Sequence, residues 1–161
     1  MRAVVASSIL MLAGAVAPAS ARTEAPIFRM FEGDWVSHGV AFERSARTRM
    51  NWEPAPGGWR LDYRVAFVDA AGGGFHGVAF YRAAGEGKYA GAWADSDGDM
   101  HPIEARDDGV TLMAHWVRAG EPYGRTEYEL TEDGSLQVTE WTQRGGQWRQ
   151  VNDQRFSRQG T

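Results

Sequence analysis

Polar and apolar side chains alternate along most of this chain with a period of two. Trp59, Leu61, Tyr63, Val65 and Phe67 share one parity, and Arg60, Asp62 and Arg64 take the other. That is the pattern of a strand with one buried and one wet face. Thr126, Tyr128 and Leu130 repeat it against Arg125, Glu127 and Glu129. No window sustains a long helical period, although Ile27–Glu32 can form one helical turn that packs Ile27, Phe28 and Phe31 onto the domain.

Gly- and Asp-rich clusters punctuate the pattern and define ten strands: Trp35–Glu43, Thr48–Glu53, Trp59–Val68, Phe75–Ala83, Lys88–Ala94, Met100–Arg106, Val110–Arg118, Gly124–Leu130, Ser135–Arg144 and Gln147–Arg158. The links include Gly57-Gly58, Gly85-Glu86-Gly87, Asp97-Gly98, Asp108-Gly109, Asp133-Gly134 and Gly145-Gly146, all able to supply positive φ in tight turns. Short links force sequential antiparallel neighbours. The expected fold is all-β, a single up-and-down antiparallel barrel of about ten strands, because closure removes two exposed edges. A two-sheet sandwich is the alternative, disfavoured because no link resembles a long Greek-key crossover.

The start of the chain adds a different signal. Arg2 precedes the apolar run Ala3–Val16, and Ala19-Ser20-Ala21 offers small residues at cleavage positions. This predicts a secretory signal peptide over residues 1–21, cut after Ala21. A membrane-spanning helix needs about 20 apolar residues, more than this run supplies before Pro18. A leader over 22–26 and one domain over 27–161 follow, with a periplasmic or secreted location. The chain has no cysteine, hence no disulfide framework or thiolate metal site. A net charge of −4 without a basic cluster argues against nucleic acid, which demands a concentrated positive face. No cofactor is expected.

Two segments carry a family resemblance. Phe31-Glu32-Gly33-Asp34-Trp35 contains the Gly-x-Trp that opens the first strand of the calycin superfamily, which includes lipocalins, fatty-acid-binding proteins and nitrobindin-like barrels. Lys88-Tyr89-Ala90-Gly91-Ala92-Trp93-Ala94-Asp95-Ser96-Asp97-Gly98 resembles the Tyr-x-Gly-x-Trp-x-Asp-Ser strand and turn of a bacterial lipocalin-like domain family without a settled activity. The resemblance implies a lipocalin-like barrel whose first and last strands meet. On that basis Trp35 is expected to close one end, packed against an arginine of the last strand, Arg155 first and Arg158 second. No histidine matches a nitrobindin-type haem ligand, and the arginine–tyrosine carboxylate clamp of fatty-acid-binding proteins has no counterpart here.

Candidate chemistry is sparse. Seven Trp, five Tyr and seven Phe supply core area or ligand-stacking walls; Trp35, Trp59, Trp93 and Trp116 are read first as core. His38, His76, His101 and His115 form no metal motif. His115 draws attention because Met113 and Val117 share its parity, but Leu112, Ala114 and Trp116 make the other face apolar too. Asp95, Asp97 and Asp99 around Gly98 lack the order and closing Glu of a calcium loop and read as a hairpin turn. Glu140 and Thr142 share parity with Leu136 and Val138, as Gln150, Asn152 and Gln154 do with Trp148 and Phe156. Those registers place a polar patch on the inner wall, unless a bulge turns Trp141 inward instead. No nucleophile elbow, phosphate loop or histidine–carboxylate metal motif is present.

The function expected is the binding of a small apolar or amphipathic molecule, with Tyr63, Trp93, His115, Trp116 and Glu140 as the ligand-facing set. Two alternatives come from other classes. A small enzyme, an isomerase or hydrolase, would show a close carboxylate–histidine pair in its cavity. An interaction module would have a packed interior.

Overall fold

The computed structural model describes residues 25–160; the expected signal peptide and its cleavage point lie outside the described residues. Ten antiparallel strands close into one barrel in the order β1-β10-β9-β8-β7-β6-β5-β4-β3-β2. They are β1 (Gly33–Ala41), β2 (Arg44–Ala55), β3 (Gly58–Phe67), β4 (Gly74–Gly85), β5 (Lys88–Asp95), β6 (Met100–Asp107), β7 (Thr111–Arg118), β8 (Glu121–Leu130), β9 (Leu136–Arg144) and β10 (Gln147–Arg158). Each strand after the first pairs with its predecessor, so the up-and-down topology is complete. Among the described residues no helix is long and apolar enough to cross a membrane.

Two hairpins are tighter than the sequence pattern predicts. β2 starts four residues before the expected Thr48, because Phe42 and Glu43 form a two-residue turn with φ of 52° and 61°. Glycine and asparagine are the usual occupants of such turns, so neither residue marks it. Ala119 and Gly120, with φ of 52° and 84°, likewise let β8 begin at Glu121 rather than Gly124.

A short helix, α1 (Pro26–Phe31), plugs the end of the barrel where β1 begins. Its first residue is Pro26, assigned to the leader from sequence; a proline there loses no helical hydrogen bond. Ile27, Phe28 and Phe31 are buried as expected. The Phe28 ring sits among Trp52, Trp59, Tyr81 and Tyr89 at centroid distances of 4.8–5.7 Å. Phe31 meets Trp52 and Tyr128. This end is solid; packing on it is aromatic and dense.

Closure is made at the same end. Only Trp35↔Arg158 and Val36↔Ser157 pair across the β1–β10 seam. Further along, the Gln154 side-chain amide donates to the Val40 carbonyl at 3.1 Å, bridging strands that no longer form a ladder. Trp35 is capped by Arg158 and not by Arg155, a correction to the sequence expectation. Arg155 shares parity with the outward Asp153 and Ser157, and it pairs with Asp133 on the surface. Arg158 shares parity with the buried Phe156.

A bulge in β10 between Gln150 and Asn152 changes which residues face inward. Beyond it, Asn152, Gln154 and Phe156 face the interior; before it, Gln150 and Trp148 pair with the outward Trp141 and Gln143. Trp148 and Gln150 are therefore on the outer wall, against the single register read from sequence. The Arg125 guanidinium lies over the Trp141 ring at 4.3 Å and near Trp148 at 5.3 Å, which keeps Trp141 outside and Glu140 inside.

Candidate functional site

The end of the barrel opposite α1 is not filled. A cavity of about 270 Å³ runs from Tyr81, Tyr128 and Glu140 in the interior to Phe42, Asp97 and Asp99 at the turns. Its size is near the lower edge of the range that holds small molecules, about 300–1,000 Å³.

One wall is a continuous row of rings contributed by successive strands β4 to β8. Phe75 stacks on Trp93 (6.2 Å, 17°), Trp93 on His101 (6.5 Å, 23°), and His101 meets Trp116 (5.9 Å) and Tyr123 (5.6 Å). Two glycines seat the indoles. A Cβ at Gly77 would lie 2.0 Å from Trp93, and one at Gly124 would lie 2.1 Å from Trp116. Each ring therefore lies against bare backbone of the neighbouring strand, a close approach that only glycine permits. Hydrogen bonds fix the ring orientations: Trp93 Nε1 donates to Asp95 Oδ2 at 2.8 Å, and Trp116 Nε1 to Thr126 Oγ1 at 3.1 Å.

The depth of the cavity is polar and centred on Glu140. Its carboxylate accepts from Asn152 Nδ2 at 2.9 Å and, at the limit of hydrogen bonding, from Thr126 Oγ1 at 3.5 Å. Asn152 is held in turn by Gln154 Nε2 at 3.2 Å. Glu140 is enclosed by protein, and since it lines the cavity its partial accessibility is accessibility to that space. Burial raises its pKa above the ordinary glutamate value, and the Asn152 and Thr126 hydrogen bonds only partly offset this. Three phenols surround the carboxyl. Burial first, and then the Glu140 charge, pushes the Tyr63 hydroxyl upward, so it stays protonated. Tyr81 and Tyr128, whose hydroxyls neighbour one another, are raised mainly by burial as well. The buried Tyr63 hydroxyl stands near Thr48, Asn152 and Gln154, yet none meets it in hydrogen-bond geometry.

The mouth carries charge of mostly one sign. Asp95 Oδ1 accepts from the backbone N–H groups of Asp97 (3.0 Å) and Asp99 (3.1 Å), so its carboxylate builds the turn and positions Trp93 together. Arg118 is the one cation among the lining residues, with its guanidinium 4.2 Å from the Tyr123 ring centroid. The Tyr123 hydroxyl is 3.1 Å from His101 Nδ1. Partial burial lowers the His101 pKa, against the opposing charges of Asp95 and Asp99, so the ring is neutral near pH 7. Among the described residues no group of side chains is arranged to hold a metal ion.

Of the ligand-facing set read from sequence, Tyr63, Trp93, Trp116 and Glu140 line this cavity together. His115 does not. It alternates with the inward Leu112, Ala114 and Trp116 and pairs with Glu104 and Arg125 on the outer wall. The inward histidine is His101, whose parity with the buried Ile103 and Ala105 was a readable signal. Phe75, Tyr81 and Tyr128 also enter the site; Tyr128 lay on a recognised inward face, but nothing local marked it as polar lining. The four tryptophans read first as core divide, with Trp35 and Trp59 buried and Trp93 and Trp116 on the cavity.

Compared with known proteins, the chain matches no protein-family model, and no curated protein matches it.

Proposed function

We propose that this protein is an exported, lipocalin-like binding protein that holds a small, partly apolar molecule in its barrel. The observation that carries the reading is the cavity itself: closed by α1 at one end, reaching the turns at the other, walled by Phe75, Trp93 and Trp116, with one carboxyl at its depth. Aromatic walls supply affinity and a few fixed polar groups supply orientation. Export rests on the apolar run behind Arg2 and the small residues Ala19-Ser20-Ala21. Membership of the calycin superfamily rests on the Gly33–Trp35 opening, the Tyr89–Ser96 strand and turn, and the Trp35–Arg158 closure.

The other two readings have less support. A packed interior, which the interaction module requires, is at odds with a cavity of about 270 Å³. Glu140 and His101 both line the space, but His101 bonds to Tyr123 and Glu140 to Asn152 and Thr126, so they do not form an acid–base pair.

Native mass spectrometry of protein purified from its own host tests the proposal. The expected spectrum contains a non-covalent adduct that is lost on unfolding. A bare polypeptide mass, combined with unchanged tryptophan emission on titration with neutral, cationic and anionic amphiphiles of one skeleton, overturns it.

A further inference from the structure

We infer that the molecule held in this cavity is a cation, a small amphipathic amine whose ammonium group meets Glu140 while its apolar body lies along Trp93 and Trp116. The inference rests on the reading of the cavity as a ligand site and names the ligand's chemistry. Its starting point is a buried carboxyl with no cation beside it. Glu140 takes part in no ion pair among the described residues, and its two hydrogen-bond donors, Asn152 and Thr126, are neutral. A carboxylate taken out of water without a cation either stays protonated or acquires a positive partner. The protein supplies none at depth, since Arg118 is at the mouth and lies over Tyr123.

The surroundings suit an ammonium group in two further ways. Indole and phenol faces attract a nearby cation through their quadrupole, and the way in passes Trp93 and Trp116. Asp95, Asp97 and Asp99 at the mouth set a negative potential that draws cations and repels anions. A carboxylate ligand would face the opposite conditions at both ends. A neutral amphiphile would fit the walls but leave the Glu140 carboxyl without a cation.

Three ligands of one skeleton separate these cases: phenylbutylamine, phenylbutanol and phenylbutyrate, titrated calorimetrically into the full domain at pH 7. The amine is expected to bind at least about tenfold more tightly than the alcohol, and the acid most weakly. In Glu140→Gln the amine's advantage over the alcohol disappears. Should that variant fail to fold, the ranking of the three ligands on the wild-type protein decides alone. Alcohol or acid binding as tightly as the amine overturns the charge assignment and leaves the cavity site standing. No binding by any of the three, with tryptophan emission unmoved, overturns both.

Discussion

Arg158 lies over the Trp35 indole, its guanidinium 4.3 Å from the ring centroid, and the two residues face each other directly across the seam between the first and last strands. Both also hold α1. Trp35 Nε1 donates to the Phe31 carbonyl at 2.7 Å, and Arg158 donates to the Met30 carbonyl at 2.8 Å and to the Glu32 carbonyl. Carbonyls at a helix C-terminus have no partner within the helix, so one pair of side chains closes the barrel and terminates its plug.

Trp35→Ala should accordingly cost about 3–5 kcal/mol, the usual range for emptying a buried tryptophan site. Arg158→Ala removes a partly exposed stacking and two carbonyl contacts and should cost less, about 1–2 kcal/mol. Arg155→Ala, on the outer wall, should stay within about 0.5 kcal/mol. Urea denaturation of the three variants checks the order; a larger loss for Arg155→Ala than for Arg158→Ala would contradict the closure described.

Parity carried most of what the sequence disclosed. Ten strands, the antiparallel order and the inward placement of Tyr63 follow from a period of two punctuated by glycine, and Glu140 shares the parity of Leu136 and Val138. Arg155 and His115 were misplaced for different reasons. Counting from Phe156 already puts Arg158 inside and Arg155 outside, so that answer was legible. For β7 it was not, because Met113 and Val117 make the outer face as apolar as the inner one. The Phe42-Glu43 turn was hidden by its lack of glycine, and the β10 bulge by its lack of any local mark. The cavity is an outcome of packing around the whole barrel, which no single strand encodes.

Gly77 and Gly124 offer a direct test of the aromatic wall. Alanine at either position places a Cβ about 2 Å from an indole ring, too close for both to stay, and the ring must swing toward the cavity. Gly77→Ala and Gly124→Ala should leave the far-ultraviolet spectrum of the barrel in place while weakening binding of a cavity ligand by about tenfold or more. Unchanged binding in both would show that these indoles do not bound the site.

Export should be visible in the mature chain. Protein recovered from the periplasm or medium of its host is expected to begin at Arg22 on N-terminal sequencing, because Ala19-Ser20-Ala21 supplies the small residues a signal peptidase needs. Intact chain retained with the membrane would contradict it.

Glu140→Gln should stabilise the unliganded protein at neutral pH. In the folded state burial raises the Glu140 pKa, so between the unfolded and the folded values the native form holds a proton that the unfolded chain has released. Stability from this residue is then fully present below the unfolded value and is lost as pH rises through the folded one. Asp62, Asp69 and Asp108 work in the opposite sense: hydrogen bonds from Arg64, from Arg44 and from the Thr111 backbone respectively lower their pKa values, so their contribution is present above the unfolded value and fades in acid. The wild-type profile mixes both, but the difference between wild type and Glu140→Gln isolates the buried carboxyl, since the amide keeps its shape. That difference should favour the variant near pH 7 and appear as a higher Tm than that of the wild type. It should shrink toward zero below about pH 4, where both carboxyl states are protonated. A gain that does not vary with pH, or a loss at neutral pH, would mean that the empty barrel does not penalise the ionised Glu140 carboxylate.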